Sequence, residues 1–219
     1  MRSLRRTAFL LTSIALCCAS AHADAQGAYD WTGFYLGAEG GYGWGRTFSK
    51  SLDNGTTSNP PMNGGAGGPF VGFNYQFDNR IVLGIESEAS FGNIEGDTDC
   101  PNKAFRCFGR VDWLGSTRVR GGYAFDKFLP YLTFGVAYGQ ATLGQSPKGS
   151  NKESVNARTH VGWSPGAGFE YAVARSIIAR AAYAYYHLGN RTVTDNFDER
   201  LRYRLSVHEI QLGLGIKFH

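Results

Sequence analysis

Beyond its first 25 residues the chain has no uninterrupted apolar run of about 18 residues, so the mature sequence holds no candidate for a lipid-spanning helix. It has only four cysteines, two of them near the N-terminus, which excludes a disulfide-dense scaffold. No His-Glu-x-x-His or Gly-Lys-Ser/Thr string occurs, and His160, His187, His208 and His219 are dispersed. Ser206-Val207-His208 is a strand-borne dyad without an acid partner, and the close pair Glu86 and Glu88 reads as same-face structural charge. The reading is therefore of a non-enzyme: no catalytic, cofactor-binding or metal residue is assigned, and no cofactor is expected. No basic cluster stands out, which leaves nucleic-acid binding without a basis.

The N-terminus reads as a secretory signal peptide over residues 1–25, with residues 26–219 forming one barrel domain. Arg2, Arg5 and Arg6 form a basic start, residues 8–19 are mostly apolar, and Ala23-Asp24-Ala25 supplies the small-residue cleavage pattern. Ala21-His22-Ala23 is an alternative site. Lipidation at Cys17 or Cys18 fits poorly, because Cys17 or Leu16 would then hold the small-residue position before the modified cysteine. Cleavage after Ala25 removes three arginines and Asp24, so 22 basic and 18 acidic residues become 19 and 17, and the net charge falls from +4 to +2. Half of the net positive charge belongs to the leader.

What the mature chain does contain is alternation. Leu83-Gly84-Ile85-Glu86-Ser87-Glu88-Ala89, Val119-Arg120-Gly121-Gly122-Tyr123, Ile177-Ile178-Ala179-Arg180-Ala181-Ala182-Tyr183 and the run from Ile210 to Phe218 each carry one greasy and one polar or glycine face. With charges on the face that can point inward, the pattern is that of strands touching lipid on their outside. Backbone polar groups in lipid are satisfied only by a helix or a closed sheet, and helices are absent, so the sheet must close. Thirty glycines and 14% aromatic residues suit a small barrel.

Eight strands are predicted, over residues 32–44, 69–77, 81–91, 113–125, 129–143, 159–173, 176–188 and 202–218. Three connections are short (Asp78-Asn79, Asp126-Lys127, Ala174-Arg175) and four are long and polar (residues 45–68, 92–112, 144–158 and 189–201). Strict alternation of short and long links describes an eight-stranded antiparallel transmembrane β-barrel with short periplasmic turns, long extracellular loops and both termini in the periplasm. Pro165 should interrupt or bulge the sixth strand.

Facing follows from parity. Glu39, Glu86, Glu88, Glu170 and Glu209 point inward with Arg118, Arg120, Arg180 and Lys217, nearly balanced charges that can pair across a narrow lumen. An eight-stranded barrel is just wide enough for its side chains to fill it, so a plugged interior is expected, the competing arrangement being a thin water path. Trp44, Trp113, Tyr138, Trp163, Tyr185 and Tyr186 should form the outer aromatic girdle. Tyr75, Phe77, Tyr123, Phe125, Phe128, Tyr131, Phe169 and Tyr171 should form the periplasmic one. Cys100 and Cys107, with six residues between them in a long loop of an exported chain, are expected to pair; metal binding is disfavoured because the intervening sequence lacks histidine.

In order along the chain, Trp31-Thr32-Gly33-Phe34-Tyr35-Leu36-Gly37, Gly72-Phe73-Asn74-Tyr75-Gln76, the run from Arg118 to Tyr131, Gly166-Ala167-Gly168-Phe169-Glu170-Tyr171-Ala172 and Tyr183-Ala184-Tyr185-Tyr186-His187-Leu188-Gly189 resemble one known family. It is the small porin-like outer-membrane β-barrel proteins of alphaproteobacteria, a surface-antigen group with some haemin-binding members. The resemblance spans nearly the whole mature chain and implies an outer-membrane barrel with no catalytic motif to carry over. One departure is terminal: Phe218, the usual aromatic end of a barrel insertion signal, is followed by His219.

Three roles are compatible with this. The leading one is a structural or surface-interaction barrel, with membrane lipid as one partner and an extracellular or host ligand met through loops such as Asp53-Asn54-Gly55-Thr56-Thr57-Ser58-Asn59-Pro60-Pro61. The alternatives are a narrow porin for small solutes and a haem-binding surface receptor using His187.

Overall fold

A computed structural model describes residues 28–51, 55, 57–100, 103–147, 154–194 and 200–218. Residues 1–25, read from the sequence as a signal peptide, His219 and part of the polar loop at residues 52–56 lie outside the described residues. Eight long strands are present: β1 (Gly33–Ser51), β2 (Pro61–Gln76), β3 (Ile81–Asp99), β4 (Phe105–Tyr123), β5 (Phe128–Pro147), β6 (Ser154–Ala174), β7 (Ile177–Thr194) and β8 (Arg200–Lys217). Each pairs antiparallel with the next, and β1 also pairs with β8 from Tyr35↔Lys217 to Ser51↔Leu201, so the sheet closes. A two-residue stretch, Thr57–Ser58, folds back onto β1 at Lys50 and Ser49. Closure leaves no unpaired edge, the condition a sheet must meet in hydrocarbon.

Through the membrane the side chains follow the inverted alternation. Leu132, Leu212 and Phe34 are 70%, 66% and 64% exposed on the outside, whereas Arg120, Arg118 and Glu86 are 3%, 2% and 1% exposed inside. The short turns are tight: Arg80 N–H donates to Phe77 O at 2.9 Å, and Phe125 and Phe128 exchange backbone hydrogen bonds at 2.8 and 3.1 Å across Asp126 and Lys127. Arg80 and Asp126 hold φ of 66° and 53°, the left-handed corner such turns require.

The strands are longer than their hydrophobic pattern suggests. They run 16 to 21 residues, against about 9–11 needed to cross the bilayer. Residues 45–51, 61–68, 92–99, 105–112 and 154–158, expected in loops, are strand. The greasy alternation stops at the membrane border, but the hydrogen-bond ladder needs no lipid and carries on as a crown above it. There the polarity reverses: Met62, Ile94, Val111 and Leu205 are buried inside, while Glu95, Asp97, Arg106 and Arg110 stand exposed outside. In water the greasy face belongs in the core.

Bulges mark the switch. Val111 pairs with Ala141 and Trp113 with Gln140, leaving Asp112 as the extra residue, so Val111 and Leu114 both point inward. Further register shifts lie between Phe91 and Ile94 and between His187 and Asn190. At Pro165 the β6–β7 ladder skips from Trp163↔His187 to Gly166↔Ala184 with its register unchanged, the local break expected of a residue with no N–H.

Candidate functional site

The centre of the lumen is an ion lattice built from five strands. The register puts Glu86 opposite Arg118 and Glu170 opposite Arg180, so strand pairing brings opposite charges to the same level of the lumen. Glu86 is the hub: Oε2 accepts from Arg120 Nη1 at 3.0 Å and from the Tyr35 hydroxyl at 2.8 Å, and Oε1 accepts from Arg180 Nη2 at 3.1 Å with Arg118 Nη2 at 3.8 Å. Arg120 also reaches Glu170 at 2.9 Å, Arg180 lies 3.4 Å from Glu39, and Arg118 pairs with Glu88. Glu88 further accepts from Tyr186 at 2.5 Å and Ser116 at 3.2 Å. Guanidinium planes rest on Tyr131 (Arg120, 3.9 Å) and Phe70 (Arg180, 4.3 Å), so rings fill the spaces between charges.

Apolar layers close the lattice from both sides. Toward the periplasm Trp31, Val82, Ala124, Leu129, Ala172 and Ile178 pack together, with Trp31 fully buried. Trp31 is held as a stopper: its indole N–H donates to Asp126 O at 2.9 Å and its backbone N–H to Gln76 Oε1 at 2.9 Å. Tyr29 packs edge-on against it and donates to Arg175 O at 3.0 Å. Burial, with Glu170 and Asp30 nearby, pushes the Tyr29 phenol up to about 12, so it remains a neutral donor at physiological pH. Toward the exterior a second layer contains Met62, Ile94, Val111, Leu114, Leu188, Leu205 and Val207.

Of the nine charged residues expected inside, all nine are buried there. Lys217, however, stands apart from the lattice: its ammonium donates to Asp30 O at the periplasmic mouth and lies 4.8 Å from the Tyr29 ring centroid. Two aromatic assignments need correction. Tyr186 is not in the outer girdle but fully buried, because it alternates with outward Tyr185 and its hydroxyl serves Glu88. Tyr131 is likewise inside, over Arg120, alternating with lipid-facing Leu132. The apolar inner layers were not anticipated either. Their signal is present as Ile94 and Val111, in a segment too polar overall to read as membrane strand, and as Leu205, at the polar outer end of the eighth strand.

At the outer membrane border Trp44 stacks on His208 at 5.6 Å, Tyr183 hydroxyl lies 2.7 Å from His208 Nδ1, and Trp163 lies 5.2 Å from His187. Both imidazoles belong to the outer surface belt. In the crown Cys100 and Cys107 are joined in a disulfide, and Arg106 Nε meets Asp97 at 2.5 Å on the outside. Gly162-Trp163-Ser164-Pro165-Gly166 has the spacing of a hydrolase nucleophile turn, but it lies within extended β6, with Ser164 fully buried and its Oγ accepting from Arg118 at 3.5 Å. Among the described residues no group of three or more His, Cys, Asp or Glu could hold a metal ion.

The chain matches the outer membrane protein beta-barrel domain over residues 9–218. It is 33% identical over 190 residues to the 25 kDa outer-membrane immunogenic protein of Brucella abortus, covering 87% of this chain and 80% of that one. With the 22 kDa outer membrane protein of Rhizobium leguminosarum it shares 32% identity over 203 residues, covering 90% and 82%. Among solved structures, the outer membrane protein OprG of Pseudomonas aeruginosa superposes with a TM-score of 0.54 at 16% identity, over 87% of this chain and 98% of that one, a likeness of fold. The lattice-filled barrel is thus an outer-membrane protein, and the chain belongs to the outer membrane protein beta-barrel domain family, within its small alphaproteobacterial group.

Proposed function

We propose that this chain is a closed, non-conducting barrel that reinforces the outer membrane and presents its crown and long loops to partners outside the cell. The observation that carries the reading is the lumen, where a lattice centred on Glu86 sits between two apolar layers. An ion crossing it would have to displace guanidinium–carboxylate contacts and shed its water against Trp31 or Ile94. The name of the Brucella abortus relative, an immunogenic outer-membrane protein, supports surface exposure. Among the described residues the buried lumen charges contact one another and the rings beside them, which supports a non-enzymatic role. His187 stands in the outer surface belt beside Trp163.

The test is electrical. Purified protein inserted into planar bilayers should give no steady current under applied voltage; a reproducible ohmic conductance would overturn the closed-barrel reading in favour of a narrow porin. Protease added to intact cells should cleave within residues 189–201 and leave the short turns at Asp78 and Asp126 uncut.

A further inference from the structure

A groove of about 620 Å³ is cut into the lipid-facing wall of the barrel, across β3 to β6 in the periplasmic half. The register accounts for it. Leu83 lies beside Gly121, Gly121 beside Leu132 and Leu132 beside Ala167, so bulky and minimal side chains alternate along one level of the wall. Gly121 leaves open space, since a Cβ there would meet only Leu83, at 3.5 Å. Pro130, two residues from Leu132 on β5, lines the same groove one step closer to the periplasm. Its walls are greasy and outward-facing, with Leu83 49% and Leu132 70% exposed. The volume falls within the range of ligand clefts, about 300–1,000 Å³, and the lining suits a hydrocarbon chain.

What lies at the periplasmic end of the groove says which chain it takes. Two ring pairs follow it there, Tyr123 with Phe125 at 4.8 Å and Phe128 with Phe169 at 5.8 Å, at the level where aromatic side chains meet the membrane interface. Beyond them stand two exposed cations. Arg80 directly precedes Ile81, a lining residue, and Lys127 comes three residues before Pro130, about 10 Å away along the strand direction. The turns that carry them are joined, because Ala124 N–H donates to Arg80 O at 2.9 Å. Two carboxylates share these turns: Asp126 is engaged by the N-terminal segment, its Oδ1 accepting from Tyr29 N–H at 2.8 Å, and Asp78 stands two residues before Arg80. A greasy groove, then rings, then two neighbouring cations make a surface complementary to an amphiphile with an anionic head.

We propose that this groove is a binding site for an anionic glycerophospholipid of the periplasmic leaflet, one acyl chain lying over Gly121 and Pro130 and the phosphate held by Arg80 and Lys127. The site goes beyond the closed-barrel reading and does not rest on it, since a conducting barrel could carry the same outer wall. Bound there, the lipid ties the β2–β3 and β4–β5 turns to the headgroup layer and fixes the depth at which the barrel sits.

The full chain, refolded into phosphatidylcholine nanodiscs doped with phosphatidylglycerol, should keep one phosphatidylglycerol per barrel on release from the disc, counted by native mass spectrometry. R80N/K127Q, in which asparagine suits the left-handed corner at residue 80, should bind it about thirtyfold more weakly. G121F, which fills the groove, should bind it about tenfold more weakly. A179F, which adds the same ring to the lipid face of β7, should bind it as wild type does. All three variants should keep the heat-modifiable gel migration of a folded barrel, and G121V is measured in place of G121F if that variant fails to refold. Wild-type binding by G121F or by R80N/K127Q, an equal loss in A179F, or equal retention of phosphatidylcholine and phosphatidylglycerol would each overturn the assignment. So would full release of the lipid by inorganic phosphate, which would make the turns a site for free anions. A doubled mass that G121F returns to a single one would overturn it too, giving the groove to a second copy of the chain.

Discussion

Glu86 illustrates how much one carboxylate can organise. Four donors from three strands converge on it, so Glu86→Ala removes the carboxylate that three buried guanidiniums share and leaves each with a single carboxylate, Glu88, Glu170 or Glu39. The expected cost is about 3–5 kcal/mol, read as a lower temperature for the heat-modifiable gel shift. Gly72 is the second sensitive residue: a Cβ there would lie 2.3 Å from the Tyr35 hydroxyl that serves Glu86. Gly72→Ala should therefore destabilise by about 1–3 kcal/mol, whereas Gly121→Ala, whose Cβ meets only Leu83 at 3.5 Å, should leave the gel shift where it was. At this scale the sequence discloses which charges point inward, because parity alone assigns Glu86, Arg118 and Arg120 to one face. It does not disclose that Lys217 leaves the group for Asp30, since that depends on how the N-terminal segment folds across the mouth.

At the scale of elements, hairpin order and turn positions are legible because Asp78-Asn79 and Asp126-Lys127 interrupt hydrophobic alternation abruptly. Outer strand ends are not, because the crown keeps its ladder after its composition has turned to Gly, Ser, Asn and charge. The disulfide sits in that region and spans only six intervening residues already framed by the β3–β4 ladder, where Thr98 pairs with Cys107. Replacing Cys100 and Cys107 together by serine should accordingly leave the gel-shift temperature nearly unchanged and quicken proteolysis between residues 99 and 107, mapped by mass spectrometry. A large fall in barrel stability would show that the bond holds more than its own tip. Proximity to strand ends places Tyr131 and Tyr186 in the girdles on sequence grounds; strand alternation turns both inward, Tyr131 under the Arg120 guanidinium and Tyr186 donating to Glu88.

For the whole molecule, the arrangement is three stacked interior layers, apolar, ionic and apolar, inside a shell whose outer polarity changes at the membrane border. Sequence alternation alone carried the strand count, the closed sheet and the compartment. The layering required three-dimensional positions, since Trp31, Val82 and Ile178 are distant in sequence and meet only after closure. Redundancy follows: Trp31→Ala should lower thermal stability by about 3–5 kcal/mol yet leave the bilayer silent, because the lattice and the outer layer still obstruct the path. A steady current from that variant would mean that the stopper alone seals the barrel.

Trp31 reaches the end of β2, the β4–β5 turn and, through Tyr29, the β6–β7 turn. Its resting place therefore exists only once every hairpin has arrived, although it stands near the start of the folded chain. Indole emission from this one position, isolated by replacing the other three tryptophans, should shift to the blue at the final step of insertion, making the residue a built-in timer for completed assembly.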